Sequence, residues 1–450
     1  MSWMALLRQC PDINRAGGKR REKWEVTKHF PPGIGFVWRA LLRQCPDINR
    51  AGGIVKIGIP IPWPSGHNRR MIQLQHRFIS ACWLFAFALA IVLPWFVTVQ
   101  GAAPPAASLK QASQRLFAMG VGVSDRIPER PADWLLLTTQ FSHVTPENCL
   151  KPDPVQVVEG QFNFAQSDAF VSFAASHQLT MVGHCLVWAK DDRTPPWFYR
   201  DGDQPASREL LLQRMKTHID TVAGRYRGRM AMWDVVNEAL DDGTNFLRPS
   251  GWLTIAGEEF IAKAFEYAHA ADPQAMLIYN DYNNELPAKR EKLIRLVRGL
   301  REKNVPVHAI GLQGHYELDQ IPFQDLEATL VAMKALGMKV VVAELDIDVV
   351  PRSKWWAEGG KYRAELARFD PYRDGCPPEI LKRQAEQYAQ LFRLFRKHAD
   401  TIERVSFWNL HDGQSWLNGF PWRRVNYPLL FDRQGQPKPA FDAVIGALTE

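Results

Sequence analysis

Two glutamates that each end a hydrophobic run are the residues whose type and position best suit catalysis. Glu238 ends the run MWDVVNE, and Glu344 ends the run VVVAE. When two carboxyl groups share a groove, an apolar neighbourhood keeps one protonated while charged or hydrogen-bonding partners keep the other ionised. Cleavage of a glycosidic bond uses that pair of states. Two ordinary salt-bridged glutamates are the alternative interpretation, which neither residue excludes on its own.

Polar and aromatic residues near these glutamates favour the catalytic interpretation. Asn237 directly precedes Glu238 and can donate to a sugar hydroxyl. We expect Gln313 and His315 to reach Glu344 and hold it ionised, while Glu238, at the end of an apolar strand, stays protonated. Three tryptophans offer flat apolar faces for sugar rings, with core packing as the alternative for each, namely Trp188, Trp408 and Trp416.

Short apolar runs alternate with longer amphipathic segments after residue 117, and this alternation predicts the fold. Eight strand-like runs cover 117–124, 141–148, 179–188, 230–239, 275–283, 309–315, 339–348 and 404–412. Apolar residues at helical spacing predict helices at 167–178, 207–226, 257–272, 288–304, 323–337 and 378–400. The pattern predicts an α/β protein, a (β/α)8 TIM barrel with a single catalytic domain. A doubly wound open sheet is the alternative, but GVGVSDRIPE lacks its glycine-rich phosphate turn.

The predicted strands end in polar or aromatic residues that a barrel would bring together. Seven of the eight do so, at Glu147/Asn148, His184, Asn237/Glu238, Asp281, Gln313/His315, Glu344/Asp346 and Trp408. The carboxyl ends of barrel strands form the face where active sites lie. We therefore expect these side chains to line one groove.

Six motifs resemble, in order and spacing, those of the glycoside hydrolase family 10 endo-β-1,4-xylanases. They are ENCLKP, GHCLVW, MWDVVNEAL, AIGLQGHY, VVVAELDI and PLLFDRQGQPKPAFDAV, and the resemblance covers nearly all of residues 115–448. It implies cleavage of internal β-1,4 bonds of xylan with retention of anomeric configuration. We expect no metal or other cofactor, since no CxxC or Cys/His cluster supports a metal site. The resemblance also implies that Glu238 is the acid/base and Glu344 the nucleophile. The residues it places along the substrate subsites are Glu147, Asn148, Lys151, His184, Trp188, Asn237, Gln313, His315, Trp408 and Trp416.

The sequence departs from the family pattern at two places. Ala189 follows GHCLVW where the family often has His, and KDDRTPPWF comes after it. The second departure is WNLHDGQSW, which replaces a commoner WGVTDKDSW type. We expect both departures to affect the rim of the groove rather than the two glutamates. A long loop at 351–378 is predicted to form a lid or rim, and its Trp355 and Trp356 either stack on sugar or pack within the loop.

The first hundred residues differ in composition from the remainder. The chain has 450 residues and a net charge of +7, but residues 1–103 contain 14 of its 55 basic and 4 of its 48 acidic residues. The remaining 41 basic and 44 acidic residues give a net charge of −3, which argues against a nucleic-acid partner. The string ALLRQCPDINRAGG occurs at 5–18 and again at 40–53. We interpret 1–70 as a non-structural extension, with a basic tail as the alternative, and 104–450 as the catalytic domain.

Residues 71–103 have the layout of a signal peptide. A short segment with His76 and Arg77 precedes an uncharged apolar run, and GAAPPAAS follows it. Cleavage near Ala102–Ala103 would give a secreted, extracellular or periplasmic protein without membrane contact, expected to be a monomer. An uncleaved anchor is the alternative, since the run is long enough to span a bilayer. Three cysteines follow this region, and we expect Cys149, Cys185 and Cys376 to be free thiols.

Two other functions remain compatible with the sequence. One is a retaining endoglucanase-type barrel, because crowding near the position of the glucose hydroxymethyl group cannot be measured from sequence. The other is a barrel that binds polysaccharide without cleaving it, although such a protein would be expected to have lost one of the glutamates.

Overall fold

A computed structural model describes residues 108–450, and the fold there is a closed parallel barrel. The signal-peptide and extension predictions for residues 1–103 lie outside the described residues. We number the eight barrel strands β1 to β8: Ala118–Val123, His143–Pro146, Thr180–Trp188, Met230–Asn237, Met276–Asp281, Ala309–Leu312, Lys339–Asp348 and Ile402–Trp408. Each strand pairs in parallel with the next, and β8 also pairs with β1, where Ala118 lies opposite Arg404. The predicted TIM barrel is confirmed.

Eight long helices surround the strands. We number them α1 to α8: Pro131–Gln140, Ala165–Ser176, Arg208–Arg225, Glu259–Ala271, Pro287–Glu302, Phe323–Ala335, Pro378–Lys397 and Pro439–Thr449. Shorter α-helices cover Leu109–Ala112, Pro152–Val155, Gly251–Ala256 and Arg363–Leu366, and short strands cover Arg200–Asp201, Gln204–Pro205 and His315–Glu317. Within residues 108–450 no helix is both long and apolar enough to cross a membrane.

Local sequence explains where these helices begin and end. Ser207 caps α3 by accepting from the Leu210 amide, which satisfies an N–H that the helix leaves free. In α7, Pro378 occupies the first turn and Arg396 and Lys397 the last, as the helix dipole favours. Helices α1 and α8 were not predicted from the sequence. In α1 the apolar pattern is misleading, because Leu135 is 77% exposed while Leu137 is buried.

The core has two main layers separated by the sheet. Six side chains fill the barrel interior, namely Val182, Met232, Ile278, Ala309, Val341 and Ala343, while a larger cluster lies between the strands and the helices. Strand β7 is buried along its whole length after Lys339, as expected for a parallel strand covered on both faces. Cys149 and Cys185 are buried free thiols and Cys376 is a partly exposed one, as predicted.

The loop between β7 and α7 has a small core of its own. Val349, Val350, Leu366 and Trp422 form this satellite cluster, against which further partly buried side chains pack. Trp355 belongs to the loop packing, since it stacks on Trp422 with ring centroids 5.3 Å apart. Its neighbour Trp356 is 54% exposed and lies against Phe420 at 5.8 Å. Packing within the loop therefore accounts for Trp355. For Trp356, stacking on a sugar ring remains a prediction.

Candidate active site

Glu344 lies within β7 and is surrounded by hydrogen-bond donors. Its Oε1 accepts from Asn280 Nδ2 at 2.8 Å, and its Oε2 accepts from His315 Nε2 at 3.1 Å. Burial alone would raise the pKa of this carboxyl group. The hydrogen bond from His315, the charges of His184 and His315 and the bond from Asn280 together lower the pKa to about 2. Glu344 is therefore ionised at neutral pH, as predicted.

His315 connects the Glu344 carboxylate to a second carboxylate and to an indole ring. Its Nδ1 donates to Asp346 Oδ2 at 3.0 Å, and the same oxygen accepts from Trp416 Nε1 at 2.8 Å. Burial lowers the pKa of His315, but the charge and hydrogen bond of Asp346 and the bond to Glu344 raise it to about 9. Both ring nitrogens donate to carboxylates, so the imidazolium form is the one that fits this position.

Glu238 follows β4 and has φ +58°, a backbone conformation uncommon for residues other than glycine. Its Oε1 accepts from Gln313 Nε2 at 3.0 Å, and the Lys190 ammonium lies 3.0 Å from its Oε2. Burial raises the pKa of Glu238, but the charge of Lys190 and the bond from Gln313 outweigh it, and the pKa is lowered. The prediction that an apolar neighbourhood raises the pKa of Glu238 is therefore wrong, because Lys190 and Gln313 together outweigh burial.

The expected contact between Gln313 and Glu344 is also wrong, for a reason visible in the backbone. The predicted strand at 309–315 ends at Leu312, and Gly314 has φ +78°. His315 then begins a short strand beside β7, where it lies opposite Asp346. The interruption separates the two side chains, so that Gln313 supports Glu238 while His315 supports Glu344.

Asn237 and Asn280 join the two halves of the site. Asn280 Nδ2 donates to Asn237 Oδ1 at 3.0 Å as well as to Glu344, and both asparagines are buried. In the described part of the chain the Asn237 amide nitrogen has no hydrogen-bond acceptor. That free N–H beside Glu238 is consistent with the predicted donation to a sugar hydroxyl.

A second wall of the site comes from β2, β3 and β8. His184 Nδ1 pairs with Asp234 Oδ2 at 2.8 Å, and the imidazole lies edge-on to Trp408, with centroids 5.4 Å apart. Trp408 is 5% exposed, because it packs against the backbone of Gly122, where an added Cβ would lie 2.5 Å from the indole. Trp408 therefore lines the wall and leaves little of its ring free.

The β2 end contributes Glu147, Asn148 and Lys151. Lys151 Nζ donates to Asn148 Oδ1 at 3.0 Å and lies 4.9 Å from the ring centroid of Trp188. Glu147 accepts from Asn409 Nδ2 at 3.3 Å. Burial raises the pKa of Glu147, and the Lys151 charge opposes that shift. These contacts bring the β2 residues and Trp188 to the same end of the barrel as the two glutamates.

Several residues that contact the predicted set were not predicted from the sequence, among them Asn280, Lys190, Asn409 and Asp234. Asn280 directly precedes Asp281, which had been noted as a strand-end residue, so the strand-end pattern could have included it. Lys190 follows Ala189, and the expectation that this departure spares the glutamates is wrong, because Lys190 pairs with Glu238. Asn409 is the second residue of the WNLHDGQSW departure and directly follows β8.

Comparison with known proteins agrees with this geometry. The profile of Glycosyl hydrolase family 10 matches residues 108–447. An endo-1,4-beta-xylanase from Geobacillus stearothermophilus is 40% identical over 345 residues, which cover 75% of this chain and 98% of that protein. Endo-1,4-beta-xylanase B from Paenibacillus barcinonensis is 36% identical over 342 residues, covering 75% and 98%. A solved GH10 endoxylanase from a sugarcane soil metagenome has a TM-score of 0.70 and 38% identity, covering 75% of this chain and 99% of that one. The family resemblance is thereby confirmed, and the chain belongs to glycosyl hydrolase family 10.

Proposed function

We propose that this protein is a secreted endo-1,4-β-xylanase that hydrolyses internal xylan linkages with retention of anomeric configuration. The observation that carries the proposal is the pair of differently supported glutamates. Glu344 is ionised by His315 and Asn280, and Glu238 lies beside a hydrogen-bonding amide and an ammonium group. The relatives named endo-1,4-beta-xylanase support xylan as the substrate.

The contacts suggest how the reaction would proceed. The Glu344 carboxylate attacks the anomeric carbon while Glu238, in its protonated form, gives its proton to the glycosidic oxygen. The bond to the leaving sugar breaks as the bond to Glu344 forms. Glu238, now a carboxylate, takes a proton from water, whose oxygen attacks the same carbon and releases Glu344. The hydrogen bonds from His315 and Asn280 keep the nucleophile charged and oriented.

Two assays test this function. The purified protein should release reducing sugars from xylan much faster than from carboxymethylcellulose measured in parallel, and the reverse order would favour the endoglucanase alternative. Proton NMR during hydrolysis of a β-linked xylo-oligosaccharide should show the β-anomer appearing first. Early appearance of the α-anomer would contradict retention. A Glu344→Gln variant that still hydrolyses either polymer would assign the activity to another group.

Secretion rests on residues 71–103 alone, where a charged start, an apolar run and small residues follow one another. Fractionation of cells expressing the full chain, followed by N-terminal sequencing of the secreted enzyme, should place the cleavage near Ala102–Ala103. Recovery of the intact chain in the membrane fraction would favour the anchor alternative.

A further inference from the structure

Lys190 is held at Glu238 by the backbone around it. The Ala189 amide donates to the Asn237 carbonyl at 2.9 Å, which joins this loop to the end of β4. On the other side, Asp191 Oδ1 accepts from the Gly251 amide at 2.8 Å. The ammonium thereby lies 3.0 Å from Glu238 Oε2 and 5.8 Å from the ring centroid of Tyr282. The residues on both sides of Lys190 are therefore held by hydrogen bonds, and its side chain, 32% exposed, reaches the Glu238 carboxylate from that loop.

We propose that Lys190 is a positioning residue whose ammonium, 3.0 Å from Glu238 Oε2, favours the carboxylate form of Glu238 and so sets the pH above which Glu238 can no longer protonate the leaving group. The inference rests on the proposed function, because it assumes that Glu238 is the acid/base. It extends that function because it assigns control of the ionisation of Glu238 to Lys190. This residue lies in the segment after GHCLVW, where the sequence departs from the family pattern.

Other charged groups around Glu238 do not replace Lys190. Arg248 donates from Nε to the Glu238 backbone carbonyl at 3.0 Å, but its guanidinium also bonds Tyr282 and pairs with Asp242. Asp281, on β5, and Glu344, on β7, carry negative charge and disfavour ionisation of a neighbouring carboxyl group. Burial acts in the same direction. Cys185, on β3, is a buried thiol whose pKa is raised, first by burial, so it adds no charge at neutral pH. Lys190 is the cation paired with the Glu238 carboxylate itself.

The pair has opposite effects on the two steps of the reaction. In the first step Glu238 must carry a proton, so the ammonium disfavours the required form. In the second step Glu238 must be a carboxylate that accepts a proton from water, and the ammonium favours that form. If the positive charge is removed, the first step should therefore continue at higher pH than in the wild type. The second step should become slower at low pH.

The test compares pH profiles of wild type, Lys190→Met and Lys190→Arg. An opposite charge within about 4–6 Å lowers a carboxyl pKa by about one to three pH units. The alkaline limb of kcat/KM on xylan should therefore move upward by about that amount in Lys190→Met and stay near its wild-type position in Lys190→Arg. Lys263→Met removes a surface lysine paired with Glu266 and should leave the profile unchanged. A Lys190→Met variant that loses activity equally at every pH, with both limbs in place, would show a purely structural role.

A substrate-free measurement separates this inference from the proposed function. Carboxyl ¹³C NMR of the full enzyme, with the Glu238 signal assigned by its absence in Glu238→Gln, gives the Glu238 titration directly. The midpoint should rise in Lys190→Met, and an unchanged midpoint would overturn the inference. If xylan is not hydrolysed but the midpoint rises, the role of Lys190 stands and the substrate assignment fails. If Lys190→Met does not fold, the midpoint of the Glu238 titration in Lys190→Gln tests the inference in the same way.

Discussion

Gln313 donates to the Glu238 carboxylate, whereas His315, two residues later, donates to Glu344. One short stretch of chain thus supports both carboxyl groups from opposite sides of a glycine with positive φ. Because their partners differ, the two glutamates should have different roles in the reaction. Substitution of each glutamate in turn tests this expectation.

Replacement of each glutamate should give a distinct failure. Glu238→Ala should lose activity on xylan but still react with an aryl glycoside whose leaving group needs no proton, and the glycosyl-enzyme should accumulate. Added azide should restore turnover and give a β-glycosyl azide. Glu344→Ala should be inactive on both substrates, and any azide product should have the α configuration. Product analysis by NMR checks the assignment, and an exchange of the two behaviours would reverse the roles.

His315 should control the ionisation of Glu344. His315→Asn removes a donor and a positive charge, so the pKa of Glu344 should rise from about 2. The acid limb of kcat/KM should then move to higher pH. Because the folded pKa of Glu344 is depressed, its charge stabilises the fold fully above about 4.5, and that stabilisation is lost as pH falls towards 2. His398→Asn changes a histidine on the far side, paired with Glu327, and should leave the acid limb in place.

Substitution of Asn280 should reduce activity nearly as much as substitution of a predicted site residue. Its amide donates to Glu344 and to Asn237, and a hydrogen bond to a charged group contributes about 1.5–3 kcal/mol. Asn280→Ala should therefore lower kcat/KM by about 10- to 100-fold. Asn280→Asp should reduce activity further at neutral pH, because it places a second carboxylate against Glu344. Wild-type activity in both variants would show that neither hydrogen bond persists in solution.

Trp416 should contribute through its ring and through its N–H. Trp416→Ala removes a large apolar surface and the donor to Asp346, with an expected loss of about 1–3 kcal/mol in transition-state binding. Trp416→Phe keeps an aromatic ring but loses the N–H. Its kcat/KM on xylan should therefore lie between the values for the wild type and for Trp416→Ala. An Ala variant with unchanged kcat/KM would place Trp416 outside the substrate path.

A protein starting at Ala106 should fold and keep full activity. It retains Ser108, whose side chain caps the helix Leu109–Ala112, and the buried Leu109. Its circular dichroism, Tm and activity on xylan should match those of the full chain. An insoluble or inactive product, obtained while the full chain works, would show that residues 1–105 contribute to folding.

Sequence patterns predicted the barrel well because most strands, such as β6 (AIGL) and the first half of β7 (KVVVA), are short runs dominated by apolar residues. The strand ends also indicated both glutamates, His184 and His315, and the structure places these residues at one end of the barrel. What they missed depends on three-dimensional detail. The interruption at Gly314 redirects Gln313, and it could not be read from AIGLQGH alone. Lys190 lies in an irregular loop, so nothing in its spacing predicts contact with a residue 48 positions later. The charge of Lys190 is also the largest influence that lowers the pKa of Glu238, where the sequence had predicted a raised pKa.

The satellite cluster gives the β7–α7 loop a small core of its own outside the main barrel core, shared with Trp422 from the segment after β8. Its four buried residues pack on side chains of the loop and on Leu318, Ile380 and Tyr427 outside it. The loop joins the end of β7 at Asp348, which accepts from Arg352, Arg424 and Asn426. Small cores of this kind open with less free energy than the whole domain. Backbone amides of residues 353–366 should therefore exchange with deuterium long before those of β7. A protease should cut first in this loop, and the two resulting fragments would stay associated through the intact barrel.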